Sequence, residues 1–147
     1  RRLNKRYDRY ALNRIFENSD IEIQNKISAQ TVVFADEMQI EQALKSYLEN
    51  AKSHTPSGGK VCVYSDEIDG KIRISVHNTG SHISEEEAVY LAEFLRGDAS
   101  HKRDKGRFGL GLSIVSAVMK IHNCHCGVYN TEDGVTFWLE VDVFRNS

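Results

Sequence analysis

The stretch KVCVYSDEIDGKIRISVHNTG, residues 60–80, limits the fold more than any other part of the chain. Two runs rich in Val, Ile and Tyr flank Ile68-Asp69-Gly70. An Asp-Gly pair between such runs is a hairpin signal, because a tight primed turn needs residues that tolerate positive φ. A hairpin imposes antiparallel pairing. Two further strands, around Gly134, close the chain, and the runs IEIQNKIS and TVVFA between Ile21 and Ala35 are also β-rich. Strands joined in this way outnumber what a βαβ pattern allows. The expectation is an α+β, two-layer fold: a mixed, mostly antiparallel sheet with helices on one face.

Helical spacing supplies the other layer. Leu3, Tyr7, Tyr10, Leu12, Ile15 and Phe16 predict an opening helix that stops at Asn18-Ser19-Asp20. Asp36 stands where an N-cap belongs, with Gln39 three residues on. From there Ile40, Ala43, Leu44, Tyr47, Leu48 and Ala51 form one apolar stripe, ended by Pro56 and Gly58-Gly59 near His54. Further helices are expected near 84–95 and 109–122, separated by a loop near 96–108 rich in Gly, Lys, Arg and Asp.

With 147 residues and 40% hydrophobic content, one core is expected, hence a single domain over 1–147. The 19 basic and 21 acidic residues give a net charge of −2, which argues against a sequence-blind nucleic-acid binder. Three cysteines, no signal-peptide stretch and no apolar run of eighteen residues point to a reducing cytoplasm. The opening RRLNKRYDRY suggests a piece of a longer protein, with 1–19 as a connection from a preceding part.

Three polar features fall in order on this framework. On the helix of EQALKSYLENAKSHTP, Ser46, Asn50, Ser53 and His54 lie at i, i+4, i+7 and i+8, so they share one edge. An amide oxygen from Asn50 is a suitable hard ligand for Mg²⁺, although Asn near a helix end also serves as a cap or simply meets water. In ISVHNTGSHIS the strand runs out at Asn78-Thr79-Gly80. Asn78 can accept a hydrogen bond from an exocyclic amine, Thr79 adds a hydroxyl, and Gly80 admits close approach to a flat base; an ordinary turn favours the same residues.

The third feature, GRFGLGLSIVSAVMKIH, is the most specific. Gly106, Gly109 and Gly111 precede and open a helix carrying Leu110, Ile114, Val115, Val118 and Ile121 at helical spacing, so free N–H groups can meet an anion. His101, Lys102, Arg103, Lys105 and Arg107 concentrate positive charge just before it. HNCHC, residues 122–126, contains soft metal ligands, but its alternation sends neighbours to opposite faces.

Together these features resemble the Bergerat-fold ATPases: histidine kinases, type II topoisomerase ATPase domains, a heat-shock chaperone family and mismatch-repair ATPases. The resemblance spans roughly residues 20–143 and is nearest to sensor histidine kinases. EQALKSYLENAKSHTP is similar to their Asn box, VHNTGSHI to the first glycine box, LAEFLRGDAS to the Phe box, GRFGLGLSIV to the second glycine box and GVTFWLEV to the closing strand. Arg96-Gly97-Asp98 then belongs to the Phe box rather than to a cell-adhesion motif.

The resemblance implies ATP and Mg²⁺ as cofactors, with Asn50 on the metal and as the catalytic position, Asn78 on the adenine amine and residues 96–108 as a lid. Ser53, His54, Thr79, Gly80, Arg96, Lys105, Arg107, Gly109, Leu110 and Gly111 complete the implied nucleotide contacts. It also implies γ-phosphate transfer to a histidine on an absent dimerisation domain, a response regulator downstream, and a membrane-anchored homodimer as the full protein, the fragment alone being a monomer. No histidine here has the flanking residues of a phosphoacceptor box.

The hydrolase branches and the related serine kinases carry a glutamate one turn before the Asn. That position is Ser46, no base near neutral pH, and Glu49 lies about 100° around the helix from Asn50. This favours the histidine-kinase branch over an anti-sigma-factor-like serine kinase. Departures remain: Asn78 for the usual Asp, His82 for the second glycine of its box, and Ser46, Ser53 and His54 for Asn, Lys and Tyr. A degenerate, regulatory pseudokinase domain acting through partner contacts is the alternative.

Overall fold

The computed structural model describes residues 12–27, 33–96 and 111–143. Helical residues 12–15 and a turn at 16–18 lead to β1, Glu22–Lys26, and the two-residue β2, Val33–Phe34. Then follow α1, Glu37–His54; β3, Lys60–Ile68; β4, Lys71–Thr79; α2, Glu85–Arg96; α3, Gly111–Ile121; β5, Cys126–Asn130; and β6, Gly134–Val143. The earlier part of the expected opening helix, residues 3–11, lies outside the described residues.

The expected hairpin is β3–β4, closed by Asp69 and Gly70 with φ of 52° and 78°, the two positive values of a type I′ turn. Strand β4 pairs antiparallel with β6, whose far edge takes β5 along residues 135–139 and β2 at residues 142–143. β1 pairs parallel with β3, which makes the sheet mixed. Parallel pairing needs a long crossover, and the segment holding α1 supplies it.

One face of the sheet is apolar. In register, Val61, Asn78 and Val135 form one row, and Val63, Val76 and Phe137 the next, all buried. Burial of a side chain such as Phe137 contributes about 1.5–3 kcal/mol, so a one-residue slip in register would forfeit several such terms. The stripe of α1 covers this face: Tyr47, fully buried, lies 5.5 Å from Phe137 between ring centroids, and its hydroxyl donates to the Trp138 carbonyl at 2.9 Å. On the opposite face Arg73 stacks 3.8 Å over Trp138, and Lys71 pairs with Asp142 at 2.6 Å.

Helix ends follow their sequence signals. Asp36 Oδ1 accepts the Gln39 N–H at 2.9 Å, capping α1. At its other end Thr55 is extended, as a residue before proline tends to be. A reciprocal capping box opens α2: Glu87 N–H donates to Ser84 Oγ at 3.0 Å and Ser84 N–H to Glu87 Oε1 at 2.9 Å.

Candidate functional site

Asn50 sits in the penultimate turn of α1, and two neighbours frame it. One turn earlier, buried Ser46 faces the opening of α3: a Cβ placed on Gly111 would lie 3.6 Å from Ser46 Cβ. The glycine-opened helix therefore starts against the Asn50 helix. The N-terminal end of α3 carries the positive end of the helix dipole. Past the end of α1, the Pro56 ring packs against Gly80. Gly80 has φ +88°, and a Cβ there would come within 2.6 Å of Pro56 Cγ, so no larger residue fits this approach.

Asn78 and its neighbours are thereby brought to the end of α1 that carries Asn50. Asn78, at 1% exposure, donates from Nδ2 to Ser81 Oγ at 3.2 Å, its only side-chain hydrogen bond among the described residues. Ser81 thus occupies the donor side of the amide. Thr79 Oγ1 accepts the Lys60 N–H at 3.0 Å and ties the start of β3 to the end of β4.

A buried polar atom without a partner tests whether this site fits a ligand. The Asn50 amide has one: its Nδ2 atom is buried and makes no hydrogen bond among the described residues. An unmatched buried amide costs about 1–3 kcal/mol, and assignment of its N and O can be exchanged by a half-turn, so either atom can meet what binds there. The donor set of Asn50 with a helix N-terminus suits a metal-bound phosphate group.

Other positions singled out from the sequence are placed differently. His54 is half-buried in the last turn of α1. Ser53 is exposed and lines the edge of a groove of about 1040 Å³ with Leu12, Ile15, Leu48, Lys52 and Val63. That groove touches neither Asn50 nor Asn78. Helix α2 starts beside Asn130, which binds the Ile83 backbone through both amide atoms, and ends where Cys126 Sγ meets the Leu95 carbonyl at 3.5 Å. The end of α2 accordingly lies at Cys126, four residues along β5 from Asn130, whose row contains Asn78. Lys105, Arg107, Gly109 and Leu110, with the rest of 97–110, lie outside the described residues.

The side chains of the HNCHC run serve several neighbours. His122 Nε2 accepts the Asp36 N–H at 2.9 Å while Nδ1 faces the Val118 carbonyl, so the end of α3 holds the start of α1. Cys124 lies 3.8 Å from Lys71 Nζ. Burial pushes the Cys126 thiol up to about 12 and raises Tyr47 well above the phenol range. Among the described residues no three His, Cys, Asp or Glu side chains converge as metal ligands.

The sequence reading missed the attachments around the Asn78 loop: Ser81, His77 with Asp133, and Asn130 with Ile83. The Ser84–Glu87 capping box carries a local Ser-x-x-Glu signature that could have announced it, whereas Asn130 and Ile83 are 47 residues apart and leave no local pattern.

The model of the family described as "Histidine kinase-, DNA gyrase B-, and HSP90-like ATPase" matches residues 35–145. The chain belongs to this family. Among curated relatives, the sensor protein VanSB of Enterococcus faecalis is 38% identical over 116 residues, covering 78% of this chain and 26% of the relative. The adaptive-response sensory kinase SasA of Rippkaea orientalis is 38% identical over 117 residues, covering 77% of this chain and 29% of that protein. The catalytic domain of histidine kinase ThkA superposes with a TM-score of 0.78 at 26% identity, covering 99% of this chain and 98% of that domain. The chain is thus a histidine-kinase ATP-binding catalytic domain, and it spans about a quarter to a third of the length of the curated relatives it matches.

Proposed function

We propose that this domain binds ATP with Mg²⁺ between the end of α1 and the start of α3, for transfer of the γ-phosphate to a histidine on a separate helical domain. The observation that supports this reading is the Asn50 Nδ2, buried and unmatched among the described residues, beside the first described turn of α3 and on the helix whose end packs on the Asn78 loop. A structure of the full-length kinase ShkA, 25% identical with a TM-score of 0.77, is a complex with AMPPNP.

Each residue has a distinct part. Asn50 would hold Mg²⁺, which when bound supplies charge neutralisation at the phosphate oxygens. Asn78 offers its Oδ1 to the adenine amine, with Nδ2 engaged by Ser81. Gly111 allows the first turn of α3 to approach the phosphates, where its N–H groups add fixed positive potential. His54, Thr79 and Gly80 border the proposed site; Ser53 lines the separate groove and the end of α2 lies at Cys126, so neither Ser53 nor Arg96 is assigned a nucleotide contact, while Lys105, Arg107, Gly109 and Leu110 are proposed as phosphate contacts on the family resemblance alone. Ser46 cannot act as a general base near neutral pH, which favours a base on the domain that bears the acceptor histidine.

The full protein is proposed to be a homodimeric sensor, anchored in a membrane, that passes its phosphate to a response regulator. In the described residues no helix is long and apolar enough to cross a membrane. The histidine kinase ThkA, whose fold this chain shares with a TM-score of 0.75, is known in complex with the response regulator TrrA.

The test is calorimetric titration with a non-hydrolysable ATP analogue, with and without Mg²⁺, beside the GTP counterpart. Adenine-preferring, Mg²⁺-dependent binding that Asn50→Ala abolishes is the expected result. Full binding by Asn50→Ala would sink the metal assignment, and no binding of either nucleotide would favour a regulatory domain acting through partner contacts.

A further inference from the structure

We infer that His82, together with the β5–β6 turn it grips, positions the Asn78–Gly80 segment for purine recognition. This rests on the nucleotide site proposed above. Gly80 and His82 are exposed and Ser81 is half-buried, so apolar burial cannot fix this stretch; its first buried anchor after Asn78 is Ile83. A polar clasp takes over that task. His82 Nε2 lies 3.0 Å from the Thr131 carbonyl and 3.2 Å from that of Glu132. Two carbonyls can only accept, so Nε2 carries the proton and donates to both.

Neighbouring contacts close on the same turn. Gly80 N–H donates to the Asp133 carbonyl at 3.0 Å, and His77 Nε2 meets Asp133 Oδ1 at 3.1 Å, with Thr136 Oγ1 2.9 Å from His77 Nδ1. Thr131 Oγ1 donates to the same Asp133 oxygen at 3.1 Å. On the far side Asn130 binds the Ile83 N–H at 3.0 Å and carbonyl at 2.8 Å. The segment from His77 to Ile83 is therefore fastened along residues 130–136, and Asn78 and Ser81 form their own pair between those fastenings.

β6 begins under Asn78 itself: a Cβ on Gly134 would fall 1.8 Å from the Asn78 carbonyl oxygen. The turn and the recognition loop are in direct backbone contact, so a shift of the turn moves Gly80 through its N–H and Asn78 through its carbonyl. The imidazole of His82 spans from the loop to the turn and sets their spacing. It acts through the backbone of its neighbours and is a positioning residue.

The test compares the unaltered chain with His82→Leu, which keeps bulk without a donor, and His82→Gln, whose amide N–H can again reach the carbonyls. Affinity for a non-hydrolysable ATP analogue with Mg²⁺ is measured by calorimetry, and exchange of the Gly80 amide proton by NMR without nucleotide. His82→Leu is expected to bind about 5- to 10-fold more weakly, the effect of losing one donated hydrogen bond, and to exchange Gly80 faster at an unchanged Tm. His82→Gln should restore most of both. Equal affinity of His82→Leu and the unaltered chain, or no recovery in His82→Gln, would overturn the positioning role. Absence of binding by the unaltered chain would instead overturn the nucleotide reading on which it rests.

Discussion

At the residue scale, chemistry follows from what each polar atom is given to bond. Asn78 and Asn50 are both amides near element ends, yet Asn78 has Ser81 on its Nδ2 while the Asn50 Nδ2 is buried without a partner among the described residues. The Asn25 Nδ2 is in the same state, so it is the position of Asn50 beside the start of α3 that marks it as a ligand contact. The cysteines show the converse. Cys126 is pushed up to about 12, first by burial, and burial also raises Cys62 and Cys124. Since the thiolate is the nucleophile, Cys126 is expected to resist iodoacetamide at pH 8 in the folded domain and to react at once in denaturant. Mass spectrometry of labelled peptides checks this; rapid native labelling at Cys126 would contradict its burial.

At the element scale, the site depends on how helix ends are held. His122 binds the Asp36 N–H at 2.9 Å and so joins the end of α3 to the start of α1, the two helices that frame Asn50. Helix α2 depends on its capping box. Ser84→Ala is expected to cost about 1 kcal/mol and Glu87→Gln less, because Gln can still accept from the Ser84 N–H. Chemical denaturation of both variants checks the order. An equal or larger loss in Glu87→Gln would mean that charge, not the hydrogen bond, holds the cap.

At the scale of the whole molecule, two exposed carboxylates tie distant segments and give stability a direction in pH. Asp20 is lowered from its ordinary value of 3.8, first by the Ser57 hydroxyl, and Asp133 likewise, first by the Thr131 hydroxyl and then by His77. A depressed folded value means the folded state holds the proton less tightly than the unfolded state. The contribution is therefore present above the ordinary value and lost as pH falls below it. Tm is expected to decline from about pH 4 downward, and Asp133→Asn to show a shallower decline. Calorimetry from pH 7 to acid tests this; an unchanged slope in Asp133→Asn would remove Asp133 from the account.

Much of the fold was legible because its signals are local. Asp69-Gly70 announced the β3–β4 hairpin, and Asp36 with Gln39 the start of α1. The apolar stripe of α1 identified the face that it buries, since period fixes face. The order of Asn50, Asn78 and the glycines before α3 was enough to indicate the family. What residue pattern could not convey is which distant groups close on one another: Pro56 on Gly80, Ser46 on Gly111, His82 on Thr131 and Glu132. Those contacts join residues 24 to 65 positions apart, and their geometry follows from sheet register and helix packing, which exist only once the chain has folded. Tertiary structure alone decided that the Asn50 Nδ2 is left unmatched among the described residues, that Ser53 turns toward a separate groove, and that the His82 ring reaches the Thr131 and Glu132 carbonyls.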